Sequence, residues 1–176
     1  GQATCHIVFD QATAILAGDA LLTKAFEVLA DPKTHADPSV RSELVAAFAR
    51  ASGHEGMVGG QMIDLCANEY ELDLAQITRL QRMKTGALIS VSCDSGALMG
   101  KATEKSRHHL LRYAQDIGLA FQITDDLLDV TGDEAEVGKK TQKDADAGKA
   151  TFVTLLGVDK ARERAHVHCQ QAQEHL

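Results

Sequence analysis

The sequence predicts an all-α protein, and three observations carry that expectation. Apolar residues recur at helical spacing through every long segment, with no stretch that alternates as a strand would. Only two prolines occur in 176 residues and aromatics make up 4%, a composition that favours helices. N-cap and stop signals fall where the periodicity breaks. No low-complexity tract or internal repeat interrupts the pattern, so the chain reads as a single helical domain over residues 1–176.

The elements follow in order. Residues 1–9 begin abruptly, without an initiator methionine. From about Asp10 to Ala30 the positions Ala14, Ile15, Ala17, Gly18, Leu21, Leu22, Ala25, Phe26 and Leu29 give helical spacing, with a small-residue face suited to close packing. Asp31-Pro32 stops that helix. Asp37-Pro38 supplies an N-cap followed by proline at the first helical position, starting a helix that runs to about Ser52 and ends at Gly53. Gly56, Gly59 and Gly60 cluster in the next segment. Glycines inside a helix cost stability, so their expected purpose is tight packing or backbone approach to a ligand. Asp73 and Gln76 resemble a capping box opening a helix to about Met99. Within it lies Lys84-Thr85-Gly86, where the glycine can loosen the helix and release polar groups toward a ligand. Lys84 taken alone reads first as an ordinary surface lysine, and the Lys-Thr-Gly setting is what argues otherwise. Thr103 caps the longest helix, reaching about Val130 and spanning roughly 40 Å at ~1.5 Å per residue. Phe152 to Leu156 is a short apolar helical turn, and Asp159 is expected to cap a polar terminal helix.

Near the end of the longest helix stands Phe121-Gln122-Ile123-Thr124-Asp125-Asp126-Leu127-Leu128-Asp129. Asp125 and Asp129 are four apart, so their Cβ atoms lie roughly 6 Å apart on one face, with Gln122 a turn earlier on the same stripe. Two carboxylates so close repel unless a cation sits between them, and Mg²⁺ suits one or two carboxylates completed by water and phosphate oxygens. The alternative is a solvated acidic patch, although acids sit poorly against the negative end of a helix dipole. After Thr131-Gly132-Asp133 comes a polar segment with Lys139, Lys140, Lys143 and Lys149. An acidic face followed by a lysine-bearing loop is what a diphosphate substrate needs.

Composition narrows the function classes. A net charge of −7 and a pI near 5.6 argue against a general nucleic-acid surface. Cys5, Cys66, Cys93 and Cys169 are far apart and form no CxxC pair, which suits reduced thiols in the cytoplasm. No apolar stretch is long enough to span a bilayer. Gly148-Lys149 resembles the end of a Walker A loop, but Lys143 stands where its first glycine must be and Ala150 replaces Ser/Thr. His54-Glu55 lacks a second histidine four residues on. His108-His109 and His166-x-His168-Cys169 lack a second ligand pair at zinc spacing and are expected to be surface histidines.

With FDQATAILAGDALLTKAFEVLA, GMVGGQMIDL, LQRMKTGALI, AQDIGLAFQITDDLLDVTGD and the GKK–KDADAGKATF loop in hand, the chain resembles the trans-isoprenyl diphosphate synthases, most of all the bacterial short-chain type. The resemblance covers essentially the whole chain. It implies an isoprenoid-synthase-type bundle of long antiparallel helices, assembled as a homodimer around a deep cavity. It further implies that Asp125, Asp126 and Asp129 form an aspartate-rich motif holding Mg²⁺ (or Mn²⁺), with Asp125 and Asp129 the favoured direct ligands. Asp144 matches a further acidic position near the metals. Lys84, Thr85, Gln122, Lys139 and Lys149 match positions that hold the allylic diphosphate, Lys84, Thr85 and Gln122 being the expected catalytic set. The implied reaction joins isopentenyl diphosphate to an allylic diphosphate, giving geranyl or farnesyl diphosphate, or geranylgeranyl diphosphate. The family's first aspartate-rich motif and paired arginines would precede Gly1, so the chain is expected to be incomplete at both ends and inactive alone. Two other readings stand beside this one: a terpene cyclase or head-to-head condensing enzyme with similar aspartates, and a non-catalytic helical fragment or subunit.

Overall fold

A computed structural model describes residues 2–67, 72–132 and 150–176, and helices are the regular structure found there. Two compact units are present, residues 1–46 and 47–176. The first contains α1 (Cys5–Val8), α2 (Gln11–Ala30) and the start of α3 (Pro38–Ser52). Asp10 caps α2 as its position predicts, its carboxylate accepting from Thr13 N at 2.7 Å and Thr13 Oγ1 at 3.0 Å. Those bonds hold the Asp10 carboxyl below its usual range. Asp37 Oδ1 accepts from Ser39 N at 2.8 Å, and Pro38 takes the first helical position. No residue of α2 is buried, and Ile15, Leu16, Leu21, Leu22 and Val28 stand exposed.

The second unit continues through α4 (Met57–Cys66), α5 (Leu74–Gln81), a π-helical turn (Arg82–Gly86), α6 (Ala87–Met99), α7 (Glu104–Thr131), α8 (Phe152–Leu156) and α9 (Val158–Glu174). The capping box at the start of α5 is complete. Asp73 Oδ1 accepts from Gln76 N and Gln76 Oε1 accepts from Asp73 N, both at 2.8 Å. The helix predicted over residues 73–99 is thus one rod with a wide turn at its centre, and that turn contains Lys84-Thr85-Gly86. Thr103 caps α7 through Ser106 N at 3.2 Å. Asp94 on α6 takes Nε and Nη2 of Arg107 on α7 at 2.9 and 3.0 Å, a two-pronged tie between neighbouring helices.

α7 is the axis of this unit, packed by α6, the π turn, α8 and α9. Its Leu119, Ile123 and Leu127 form the core with Ile77 of α5, Phe152 and Val153 of α8, and Ala161 and Ala165 of α9. Phe152 is fully buried, which contributes roughly 1.5–3 kcal/mol of transfer free energy and anchors α8 beneath the acidic end of α7. Two expectations need correction. Asp159 does not cap α9: Gly157, at φ +80°, occupies the cap position, and Asp159 lies in the first turn, where its charge still suits the helix dipole. His168 is not a surface histidine. Ala161, Ala165, His168, Ala172 and His175 follow a 4-3-4-3 spacing along α9, and His168 Nδ1 and His175 Nε2 lie 3.0 and 3.1 Å from the two carboxylate oxygens of Asp116 on α7. Alanines on that stripe let the helices approach, and the histidines face the seam rather than water.

Candidate active site

The site is built where the π turn crosses the acidic half of α7. A π turn inserts one residue into an α-helix and opens the hydrogen-bond ladder locally. Here it presents Lys84 and Thr85 from one rod to two different neighbours. Lys84 Nζ donates to Asp64 Oδ2 of α4 at 2.6 Å, with the lysine one-third exposed (33%) and the aspartate nearly buried (12%). Thr85 Oγ1 donates to Gln122 Oε1 of α7 at 3.0 Å. Gln122 Nε2 in turn donates to Asp126 Oδ1 at 3.0 Å, and Asp126 Oδ2 accepts from Phe152 N at 3.1 Å. An unbroken polar chain therefore runs from the Lys-Thr-Gly turn through α7 to the first amide of α8.

Glycines make this crossing possible by letting backbones approach. A Cβ on Gly60 of α4 would stand 2.3 Å from Lys84 N and 2.7 Å from Lys84 Cα, closer than atoms can come. A Cβ on Gly118 of α7 would meet Gly86 Cα at 3.4 Å. Gly60, four residues before Asp64, thus seats the π turn against α4 at the height where Asp64 reaches Lys84. Of the two purposes expected for the glycine cluster, tight packing or backbone approach to a ligand, Gly60 serves the first.

The three aspartates do different things. Asp126 is buried (3% exposed) and directed inward, its two oxygens engaged by Gln122 and Phe152. Asp125 is half-buried and Asp129 is buried at 6% exposure, one turn apart on α7. Among the described residues no group of three or more His, Cys, Asp or Glu side chains converges as a protein-only metal cage. A pair of carboxylates one turn apart, all-oxygen and without nitrogen or sulfur donors, fits a hard cation that keeps water and phosphate oxygens in its shell. Lys139, Lys149 and Asp144 lie outside the described residues. The structure thus joins Thr85, Gln122 and Asp126 in one hydrogen-bond chain, pairs the adjacent Lys84 with Asp64, and places Asp125 and Asp129 on the same helix as Gln122. Asp64 was missed in the sequence, because its partner lies twenty residues away and no local signature marks it.

A family model described as Polyprenyl synthetase matches residues 1–175. The chain is 44% identical over 183 residues to the farnesyl diphosphate synthase of Escherichia coli, covering 100% of this chain and 60% of that protein. It superposes on an FPP/GFPP synthase from Zymomonas mobilis with a TM-score of 0.88 at 50% identity, covering 100% of this chain and 59% of the other. A geranyltransferase from Helicobacter pylori, solved with magnesium and isoprenyl diphosphate, gives a TM-score of 0.88 at 34% identity, over 99% and 56% of the two chains. The chain thus spans about 60% of the length of the relatives it matches.

Proposed function

This chain belongs to the polyprenyl synthetase family, and from that premise we propose that its protein is a short-chain prenyltransferase joining isopentenyl diphosphate to an allylic diphosphate to give geranyl or farnesyl diphosphate. The observation that carries the reading is the polar chain from Lys84-Thr85 through Gln122 to Asp126, which unites two motifs 37 residues apart in one site. A lysine ammonium, a threonine hydroxyl and acidic side chains on crossing elements form the kind of surface a metal diphosphate requires. Asp125 and Asp129 are the residues to hold Mg²⁺, which supplies charge neutralisation on the departing diphosphate.

The protein's own groups have three tasks. Lys84, kept in place by Asp64, adds positive charge where the leaving oxygens develop negative charge. Thr85 and Gln122 fix the height of the π turn against α7, so the ammonium and the carboxylates face one diphosphate. Asp126 stays inside and ties α7 to α8, a positioning task rather than a ligand's. As the allylic C–O bond breaks, the bonding pair leaves with diphosphate. The C4–C1 bond then forms from the isopentenyl double bond, and one proton is lost to the departed diphosphate. The magnesium and isoprenyl diphosphate in the Helicobacter relative support this assignment of ligands. The unburied α2, with five large apolar residues exposed, supports a homodimer through that helix, and the reading places the enzyme in the cytoplasm. No helix among the described residues is long and apolar enough to cross a membrane.

The test is product analysis on the whole protein, with geranyl diphosphate and Mg²⁺, with and without isopentenyl diphosphate. Elongation predicts a product longer by five carbons only when both substrates are present. A cyclised hydrocarbon from the allylic substrate alone would replace this reading with that of a cyclase. In parallel, Mg²⁺ with inorganic diphosphate is expected to raise the melting temperature, and Asp125→Ala with Asp129→Ala to abolish that rise.

A further inference from the structure

A large cavity lies away from the aspartates. It is an open recess of about 960 Å³ walled by α5, the start of the π turn, α9 and the segment before α4. Arg79 and Arg82 enter it from one rod and Arg164 from α9, joined by His54, with Glu55 the sole carboxylate in its lining. Among the described residues none of these arginine side chains makes an ion pair or hydrogen bond. They share that with Arg50, Arg112 and several lysines, and what sets them apart is that three guanidinium groups line one recess with a single carboxylate. Like charges converging without a counter-charge repel, and an acidic protein has ample carboxylates to relieve that cost where nothing else does so. The guanidinium fork matches phosphate oxygens in pairs and is weakly hydrated, so it gives up water readily to an anion.

We propose that this recess is a second anion site, which binds the phosphate groups of a free di- or triphosphate through Arg79, Arg82 and Arg164 without a metal ion. Its volume lies in the range of small-molecule sites, with room for an organic body beyond the phosphates. The site is also wired to the first. Arg82 opens the π turn two residues before Lys84, and Met83, in the same lining, packs within reach of Gly59 on α4. An anion drawn onto Arg82 acts on the backbone that carries Lys84, so occupancy at one site alters affinity at the other, and reciprocally.

The experiment is calorimetric titration of the whole protein with inorganic diphosphate in EDTA, which silences any metal-dependent binding at the aspartates. One saturable event is expected. The double variant Arg82→Gln/Arg164→Gln should weaken it at least tenfold, while Lys84→Gln leaves it within twofold. Because neither arginine has a partner to lose, the arginine variant should melt as the parent does, whereas Lys84→Gln gives up its ion pair with Asp64 and should melt lower. Absence of a saturable event overturns the proposal, as does binding that survives the arginine variant. Loss on Lys84→Gln with retention in the arginine variant also overturns it, by placing the anion at the first site.

Discussion

Replacing Gly60 with alanine puts a methyl group where the backbone of Lys84 already stands. The new Cβ would lie 2.3 Å from Lys84 N, and ordinary contact begins at 3.4 Å, so α4 and the π turn must part by at least 1.1 Å. The obstructing atoms are backbone, so no rotamer change relieves the clash. Overpacking of this kind costs about 1–3 kcal/mol. Alanine recovers up to about 1 kcal/mol through its helix propensity, which at full recovery leaves a net loss of about 0–2 kcal/mol. The functional effect is larger. A displacement near 1 Å at a charge-positioning residue costs about a hundredfold in rate. Gly96→Ala on α6 is the control, since a Cβ there meets nothing within 4 Å; it should be neutral or stabilising by up to about 1 kcal/mol. Urea unfolding gives the stability of each variant, and prenyl transfer by the whole protein gives kcat/KM. A Gly60→Ala protein matching Gly96→Ala in both would refute the claim that this glycine seats Lys84.

Other outcomes follow from single contacts. Asp126→Asn keeps the shape of the buried side chain but sets an NH₂ group against Gln122 Nε2 or Phe152 N, so stability should fall by about 1–3 kcal/mol in urea unfolding; an unchanged midpoint would show that the polar chain is not formed. Asp73→Ala removes the side-chain half of the capping box, leaving Gln76 Oε1 on the backbone N–H of residue 73, and should cost about 1 kcal/mol, seen as faster amide exchange in the first turn of α5, with α7 unaffected. Burial pushes the Cys93 thiol up, so at pH 8 iodoacetamide should label exposed Cys5 well before Cys93; peptide mapping that finds Cys93 labelled first contradicts the burial. The same shift has a sign for stability. The folded state holds the Cys93 proton more tightly than the unfolded chain, so its contribution is complete below the ordinary thiol pKa. It declines as pH rises from there toward the folded value.

Much of this fold is local chemistry, and local chemistry is what a sequence displays. The caps at Asp73 and Thr103 and the proline after Asp37 each act within three residues and each stands where it was expected, and Asp10, where the apolar pattern begins, adds a cap of the same reach. The acidic stretch was legible for the same reason, since spacing along one helix fixes a shared face. Its inner division was not. Asp126 looks like its neighbours until Phe152, 26 residues on, presents a backbone amide to it. Asp64 was hidden likewise, although four residues after Gly60 it shares the face that the glycine brings against the π turn. His166 is exposed as expected, but His168 misled because the helix reads as polar; a seam built from alanines carries almost no hydrophobic signal, yet its 4-3 spacing was present throughout. Gly157 took the cap from Asp159 because its left-handed backbone turns the chain between α8 and α9, which aspartate adopts less readily.

The wide turn at Arg82–Gly86 behaves like a dislocation in a crystal row. It is one surplus residue in an otherwise regular rod, and nothing in the rod itself says where along it the surplus must sit. Each step of one residue, up or down, turns whatever it passes by about 100° about the helix axis. A single step would swing Lys84 away from Asp64 or Thr85 away from Gln122. The defect is pinned from outside by Gly60, against which the backbone of Lys84 stands too close for the rod to rethread, while a Cβ on Gly118 would make only ordinary contact with Gly86 on the other flank. A one-residue deletion anywhere between Gln81 and Ala87 would therefore heal the helix and scatter the site. Side chains on the rod that touch neither neighbour can change without moving the turn, but the count of residues must stay.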